Sequence, residues 1–231
     1  MKNELKNRAE LETLAYEQGA AAFGIADLNR LDDKDFSAAI PAGYFRAVVM
    51  GMRVLDSVLE EIVDKPTPLY FHVYRQLNYA LDRLAFMVAT RIESAGYRAL
   101  PVPASQIVSK APMRGQLSHK LLGWLAGIGF IGRNSLLVHP EYGARMRYVS
   151  VLTDMPLEPD APYEGNCGEC RACVAVCPAG AIHESVKDFD IDACYRKLCE
   201  FAKLPFIGQH VCGICVKACS GRRKNKRNGN P

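Results

Sequence analysis

Nine cysteines in 231 residues are the first feature with chemical content, and their spacing is more telling than their number. The run Cys167-Gly-Glu-Cys170-Arg-Ala-Cys173-Val-Ala-Val-Cys177-Pro178 is a C-x2-C-x2-C-x3-C-P pattern. That is the bacterial ferredoxin spacing for 4Fe–4S clusters. Two-residue gaps let a tight loop present three thiolates to three corners of one cube, and loop amides can hydrogen-bond to the sulfides. The fourth cysteine follows a longer gap and leaves at a proline; in two-cluster ferredoxins it serves the other cube. A second, looser set comprises Cys194, Cys199, Cys212, Cys215 and Cys219. The expected assignment is Cys167, Cys170, Cys173 and Cys219 for one cluster, and Cys177, Cys194, Cys212 and Cys215 for the other. Cys199 is left over, either as a buried thiol or as an alternative to Cys194. Paired C-x2-C units also make zinc ribbons, but three consecutive x2 steps ending in Cys-Pro suit a cube better than one tetrahedral ion. The chain reads as an iron–sulfur redox protein, wired by crossed ligation.

A second candidate lies just upstream, where Gly127, Gly129 and Gly132 are followed by Arg133 and Asn134. The triplet has G-x-G-x-x-G spacing, yet a helix precedes it and a strand follows, the reverse of a dinucleotide fingerprint. It reads either as a glycine turn that packs a helix closely on a sheet or as a ligand loop, with Arg133 and Asn134 suited to phosphate or amide groups. His119 and Lys120 could donate protons near a cofactor, although a solvated helix face is the commoner role. Tyr142 and Tyr148 could also be proton donors; hairpin packing is favoured. Trp124 shares a helix face with Leu121, Leu125 and Ile128 and reads as core. His72, His139, His183 and His210 are scattered and carry no assignment.

These residues need positioning elements. The spacing predicts a helix over residues 5–18 and a longer one from about Phe71 to Ser94, with Val73, Leu77, Leu81, Leu84, Val88 and Ile92 on one face and Gly96 as cap. Ala21–Asp27, Ala47–Met52 and Tyr97–Val102 read as strands. A further helix is expected over about Gln116–Leu125. Asn134–His139 and Arg147–Thr153 read as a hairpin around the Pro140–Gly143 turn. The proline-rich, acidic stretch from Met155 to Gly165 reads as a linker. An α/β domain over residues 1–155 and a ferredoxin-like module over 156–220 are expected, with a basic tail over 221–231.

Hydrophobic residues make up 49% of the chain and charged residues 23%, ordinary for a globular protein. The net charge is +4, but Arg222, Arg223, Lys224, Lys226 and Arg227 concentrate it in the tail. The body is nearly neutral, unlike a nucleic-acid binder. The tail could touch tRNA or an acidic redox partner, but without interleaved aromatics a solubilising role is preferred. The start is charged rather than an apolar signal core, and the longest apolar stretch, Leu121–Ile131, is far shorter than a membrane span. A cytoplasmic location follows as the expectation. Thiols stay reduced there, so metal binding rather than disulfide formation accounts for the cysteines.

The stretch from Ala126 to Arg147, then Thr153–Pro162, then the first cysteine set, resembles the epoxyqueuosine reductases and the related reductive dehalogenases, over about residues 95–219. The resemblance implies an α+β chain: a nitroreductase-like α/β domain that binds cobalamin, followed by a module with two 4Fe–4S clusters. The clusters would feed electrons to cobalt, and low-valent cobalt would reduce an organic substrate. Gly127, Gly129, Gly132, Arg133 and Asn134 would lie against the corrin, as would the Pro140–Gly143 turn. A low-potential donor such as ferredoxin or flavodoxin would be the electron partner. Epoxyqueuosine reductases carry an acidic proton donor in a segment matching Ser109-Lys110-Ala111-Pro112, where Ser109 takes the acid's place. Ser220 follows the last cysteine in place of the family's proline. The expectation is a short form lacking the family's C-terminal helical-repeat domain, which helps hold tRNA. The favoured reading is therefore a corrinoid-dependent reductase. An electron carrier that reduces a separate corrinoid or redox partner stands second, and tRNA modification third.

Overall fold

The computed structural model describes residues 2–31, 40–106, 108–110 and 113–221. Ala111, Pro112 and the charged tail beyond Gly221 lie outside the described residues. The elements, in chain order, are α1 (Lys2–Glu17), β1 (Ala22–Asp27), β2 (Arg46–Arg53), α2 (Asp56–Glu60), α3 (Pro68–Ser94) and β3 (Ala99–Val102). Next come β4 (Ser109–Lys110), β5 (Met113–Arg114), α4 (His119–Leu125), β6 (Phe130–Ile131), β7 (Leu137–Val138) and β8 (Met146–Thr153). The cysteine segment adds α5 (Ala172–Val176), α6 (Ile191–Ala202) and α7 (Ile214–Ala218). No described helix is long and apolar enough to cross a membrane.

The chain divides into two compact units, and neither is continuous in sequence. The first comprises Met1–Met52, Leu77–Ile128 and Arg147–Glu164; the second comprises Arg53–Gln76, Gly129–Met146 and Gly165–Pro231.

A four-stranded sheet of order β1-β2-β8-β3 organises the first unit. The β1 strand runs antiparallel to β2, with Phe23 opposite Met50, and β3 runs antiparallel to β8, with Leu100 opposite Leu152. Both central strands are buried along almost their whole length, and β2 reads as a near-continuous apolar run. Pro101 is tolerated because β3 lies at the sheet edge, where a missing N–H breaks no ladder. The apolar stripe of α3 supplies Leu81, Leu84, Val88 and Ile92 to the core, together with Leu11 and Ala15 of α1. Each such leucine stabilises the fold by roughly 2–5 kcal/mol against alanine. Gly96 (φ +88°) follows the helix in the left-handed conformation that glycine adopts most readily.

Two local expectations change. Residues 134–139 and 147–153 do not pair as a hairpin. Instead β7 pairs with β6, while β8 enters the four-stranded sheet. An unbroken buried strand stabilises the fold more as a central strand than as half of an exposed ribbon. The turn itself is closed by reciprocal backbone bonds between His139 and Gly143, and His139 Nδ1 accepts from Glu141 N and Tyr142 N. The Met155–Gly165 stretch is not a loose linker along most of its length. Met155 and Leu157 are buried in the first unit's core, and Asp160 accepts from the backbone of Ile25 and from Arg8.

Candidate functional site

All nine cysteines fall in the second unit, in their free form. The first loop is shaped by Asn166, whose side-chain oxygen accepts from Gly168 N at 2.7 Å, and by Gly168 itself at φ +52°. Cys170 N donates back to Cys167 O, and the chain then enters the single turn of α5, which buries Cys173. Cys177 terminates that turn, and its Sγ accepts from Ala181 N at 3.4 Å. Asp190 caps α6, which carries Cys194 and Cys199. The last stretch begins at Cys212, turns at Gly213 (φ +83°) and runs through α7 with Cys215. A β-carbon at Gly213 would collide with Ile62 and the Tyr70 ring, so the close approach of this backbone demands glycine. The two short helices α5 and α7 lie against each other.

Electrostatic neighbours identify which thiols lie near one another. Cys219 is raised first by burial and then by Cys173, Cys167 and Cys170. Cys173 is raised by burial and by Cys167. Cys194 is raised by burial and then by Cys177, while Cys212 is pushed up to about 11 by burial, with Cys194 and Cys177 adding to it. Cys215 is raised by burial, then by Cys212, Cys194, Cys177 and, least, Cys173. The arrangement thus brings Cys219 to Cys167, Cys170 and Cys173, and brings Cys177 to Cys194, Cys212 and Cys215. The remaining thiol, Cys199, is hydrogen-bonded to Tyr195 one turn earlier on α6. Buried thiols that repel each other's charge make poor nucleophiles. They suit a metal group that supplies the missing positive charge. Among the described residues, no three Cys, His, Asp or Glu side chains gather as they would around a single metal ion.

Arg133 braces this segment. Its guanidinium donates to Glu184 O at 2.7 Å, Cys170 O at 2.9 Å and Gly168 O at 2.9 Å. The side chain expected to meet a phosphate or amide is committed to the cysteine loop. A second brace holds α7: Arg145 binds the Lys217 carbonyl and Asp56, and Lys217 Nζ reaches the carbonyls of Glu60 and Ile62. The Glu141–Gly143 turn packs on the backbone of Cys219 to Gly221, so closely that a β-carbon at Gly143 would meet Cys219 O at 2.1 Å. Arg53 covers Tyr142, which stacks on His139. Asn166 is legible in sequence as an Asx turn, whereas Arg133, Arg145 and Lys217 act through contacts with no local signature.

The glycines of the expected cofactor loop serve close packing. A β-carbon at Gly127 would meet Ala161 O at 2.9 Å, and one at Gly129 would meet Val138 O at 2.2 Å. At Gly132 it would meet Val138 Cγ2 at 2.6 Å and stand 3.5 Å from Cys167 Sγ. Asn134 is buried, its oxygen accepting from Leu136 N. Close packing thus accounts for these glycines.

In the first unit, His119 is not on a solvated face. Its Nε2 lies 2.9 Å from Pro103 O and its Nδ1 2.9 Å from Ser150 Oγ. The carbonyl can only accept, so Nε2 carries the proton and Nδ1 accepts from the serine. Burial is the main cause holding its pKa below the ordinary histidine value. Lys120 is exposed and Tyr148 is buried. Trp124 Nε1 donates to Tyr163 O. The β4 backbone places Ser109 opposite Arg114.

No protein-family model matches the chain. A catabolic reductive dehalogenase in complex with 3-bromo-4-hydroxybenzoic acid superposes with TM-score 0.72 at 22% identity, over 90% of this chain and 31% of that one. A dehalogenase structure described as suggesting a mechanism for B12-dependent dehalogenation matches with TM-score 0.72 at 21% identity, over 90% and 30%. An epoxyqueuosine reductase bound to an epoxyqueuosine-modified tRNA stem loop gives TM-score 0.53 at 22% identity, over 78% and 53%. The chain therefore has a mixed helix-and-sheet fold similar to that of these reductases.

In sequence, the chain is similar to epoxyqueuosine reductases. That of Bacillus subtilis (strain 168) is 41% identical over 68 residues, 29% of this chain and 18% of that protein. That of Synechococcus sp. (strain CC9605) is 34% identical over 122 residues, 52% and 33%. The chain thus spans from under a fifth to a third of the length of these curated relatives. The resemblance read from the glycine loop and the cysteine order is borne out.

Proposed function

We propose that the chain is an iron–sulfur redox protein that passes electrons through two 4Fe–4S clusters. One would be held by Cys167, Cys170, Cys173 and Cys219, the other by Cys177, Cys194, Cys212 and Cys215. The observation that carries this reading is the grouping of the thiols. Cys219 lies by Cys173, Cys167 and Cys170, and Cys177 lies by Cys194, Cys212 and Cys215, so each set joins cysteines distant in sequence. When bound, the clusters would supply one-electron storage at low potential. The protein's part is to hold the thiolates in two sets, to exclude water by burying Cys173, and to donate Ala181 N to Cys177 Sγ. Arg133 and Arg145 fix the backbone that carries them.

The electrons would reach a corrinoid that reduces an organic substrate. Support comes from the likeness to the dehalogenase described as B12-dependent and to the epoxyqueuosine reductases. The glycine loop does not add to it, since its glycines pack on protein atoms and Arg133 is bonded to backbone carbonyls. That same occupancy favours a second reading, a carrier that reduces a separate corrinoid or redox partner. A low-potential ferredoxin or flavodoxin would be the donor in either case. Ser109 in the acid's place argues against epoxyqueuosine in tRNA as the substrate.

Anaerobic reconstitution with iron quantitation, followed by cobalamin titration monitored by EPR, tests both levels. About eight irons per chain support two cubes. Four irons with one zinc would overturn the crossed assignment. Micromolar corrinoid binding supports the reductase; its absence transfers the conclusion to the carrier.

A further inference from the structure

The loop between β6 and β7 is built more tightly than a connection of its length requires. Gly132 N donates to Leu136 O at 2.9 Å and Ser135 N donates to Gly132 O at 2.9 Å. Ser135 sits at φ +56°, a left-handed conformation that serine adopts only when its surroundings enforce it. Between them, Asn134 is 4% exposed. Its Oδ1 accepts from Leu136 N at 3.3 Å, which sets which end of the carboxamide is oxygen. Its Nδ2 is therefore turned away from that contact. Among the described residues, Nδ2 is buried with no hydrogen-bond partner.

A buried N–H donor without an acceptor is costly, and a fold that enforces one has a use for it. The neighbourhood indicates what is missing. A β-carbon at Gly132 would stand 3.1 Å from Asn134 Oδ1 and 3.5 Å from Cys167 Sγ, so the carboxamide and the thiol flank the same bare glycine. Thiolates and sulfides of an iron–sulfur cluster are anionic acceptors, and hydrogen bonds to them stabilise the reduced state. The unit already contains one such contact, from Ala181 N to Cys177 Sγ.

We propose that Asn134 Nδ2 donates a hydrogen bond to a sulfur of the cluster anchored at Cys167, making Asn134 a residue that raises that cluster's reduction potential relative to its partner. This rests on the two-cluster reading and adds to it a side chain that tunes one of the two clusters. A side chain at Gly132 would clash with Val138 Cγ2 and crowd the Asn134 carboxamide.

The test uses the full-length, iron-loaded protein. Asn134→Leu keeps the size and removes the donor. EPR-monitored titration should show one midpoint moving to more negative potential while the other stays, with iron content unchanged. Pulsed EPR of the reduced wild type, labelled with 15N in asparagine side chains, should show a nitrogen coupling that Asn134→Leu loses. If Asn134→Leu does not hold iron, labelled Asn134→Ala decides by the same readouts: a coupling lost there supports the assignment, and one that persists overturns it. Unmoved midpoints in an iron-loaded Asn134→Leu protein overturn the Asn134 assignment alone. A wild type that takes up no iron overturns the cluster reading, and this inference with it.

Discussion

Removing the Arg133 guanidinium should loosen the cysteine loop without touching any thiol. In Arg133→Ala the carbonyls of Gly168, Cys170 and Glu184 lose their shared donor. The side chain is 15% exposed, so water replaces it incompletely. At roughly 1 kcal/mol net for each of three hydrogen bonds, loop opening becomes easier by about 3 kcal/mol. That corresponds to about a hundredfold increase in the open population. The assay is anaerobic release of iron from the reconstituted protein to a chelator, followed by absorbance, when opening limits release. Release from Arg133→Ala should be faster by one to two powers of ten, on the order of that shift. Arg133→Lys, which can serve only one carbonyl at a time, should fall between. Hydrogen exchange should place the loss of protection at Gly168–Cys170. A release rate within threefold of wild type would refute the brace.

Other outcomes follow from the same geometry. Cys219→Ala should lose about half of the iron, from the cluster held by Cys167, Cys170 and Cys173, whereas Cys199→Ala should keep about eight irons per chain. Gly129→Ala, whose new methyl would lie 2.2 Å from Val138 O, should destabilise the protein by about 2 kcal/mol or more in urea melts. Acidification should weaken the first unit through His119. Its folded pKa lies below its unfolded value near 6.5, so the unfolded chain binds the proton first. Its stabilisation is complete above about pH 6.5 and is lost as pH falls, at up to about 1.4 kcal/mol per pH unit. Arg147 and Asp82 face the ring, the first lowering and the second raising its pKa. His119→Gln should flatten the dependence of the urea midpoint on pH between 6.5 and 5, and an unchanged slope would exclude the histidine as its source.

Local periodicity carried much of the fold into view. The stripe Leu81, Leu84, Val88 and Ile92 was readable because helix geometry alone puts it on one face. The buried strand at Ala47–Met52 was readable because burial on both faces removes alternation. Strand partners were not readable, since β7 pairs with β6 through contacts that no spacing records. The cysteines stood out through their spacing, because a shared metal group would constrain neighbours in the chain. The side chains that brace them were opaque. Arg133 looked like a ligand binder because arginine next to a glycine turn has the same composition whether it meets phosphate or the protein's own carbonyls. His119 looked solvated because the groups that bury it, Pro103 and Ser150, come from other segments.

The discontinuity of the second unit has a consequence for how such a protein can be made and inherited. A gene fragment starting at Gly165 would encode every cysteine yet discard Asp56, Ile62, Tyr70, Arg133 and Arg145, the residues against which the cysteine segment is braced. It is not a cassette that can be cut out or grafted as one piece. On the ribosome the order of synthesis works in its favour, because the bracing segments emerge first. By the time the last thiols appear, the segments that brace them have already been made.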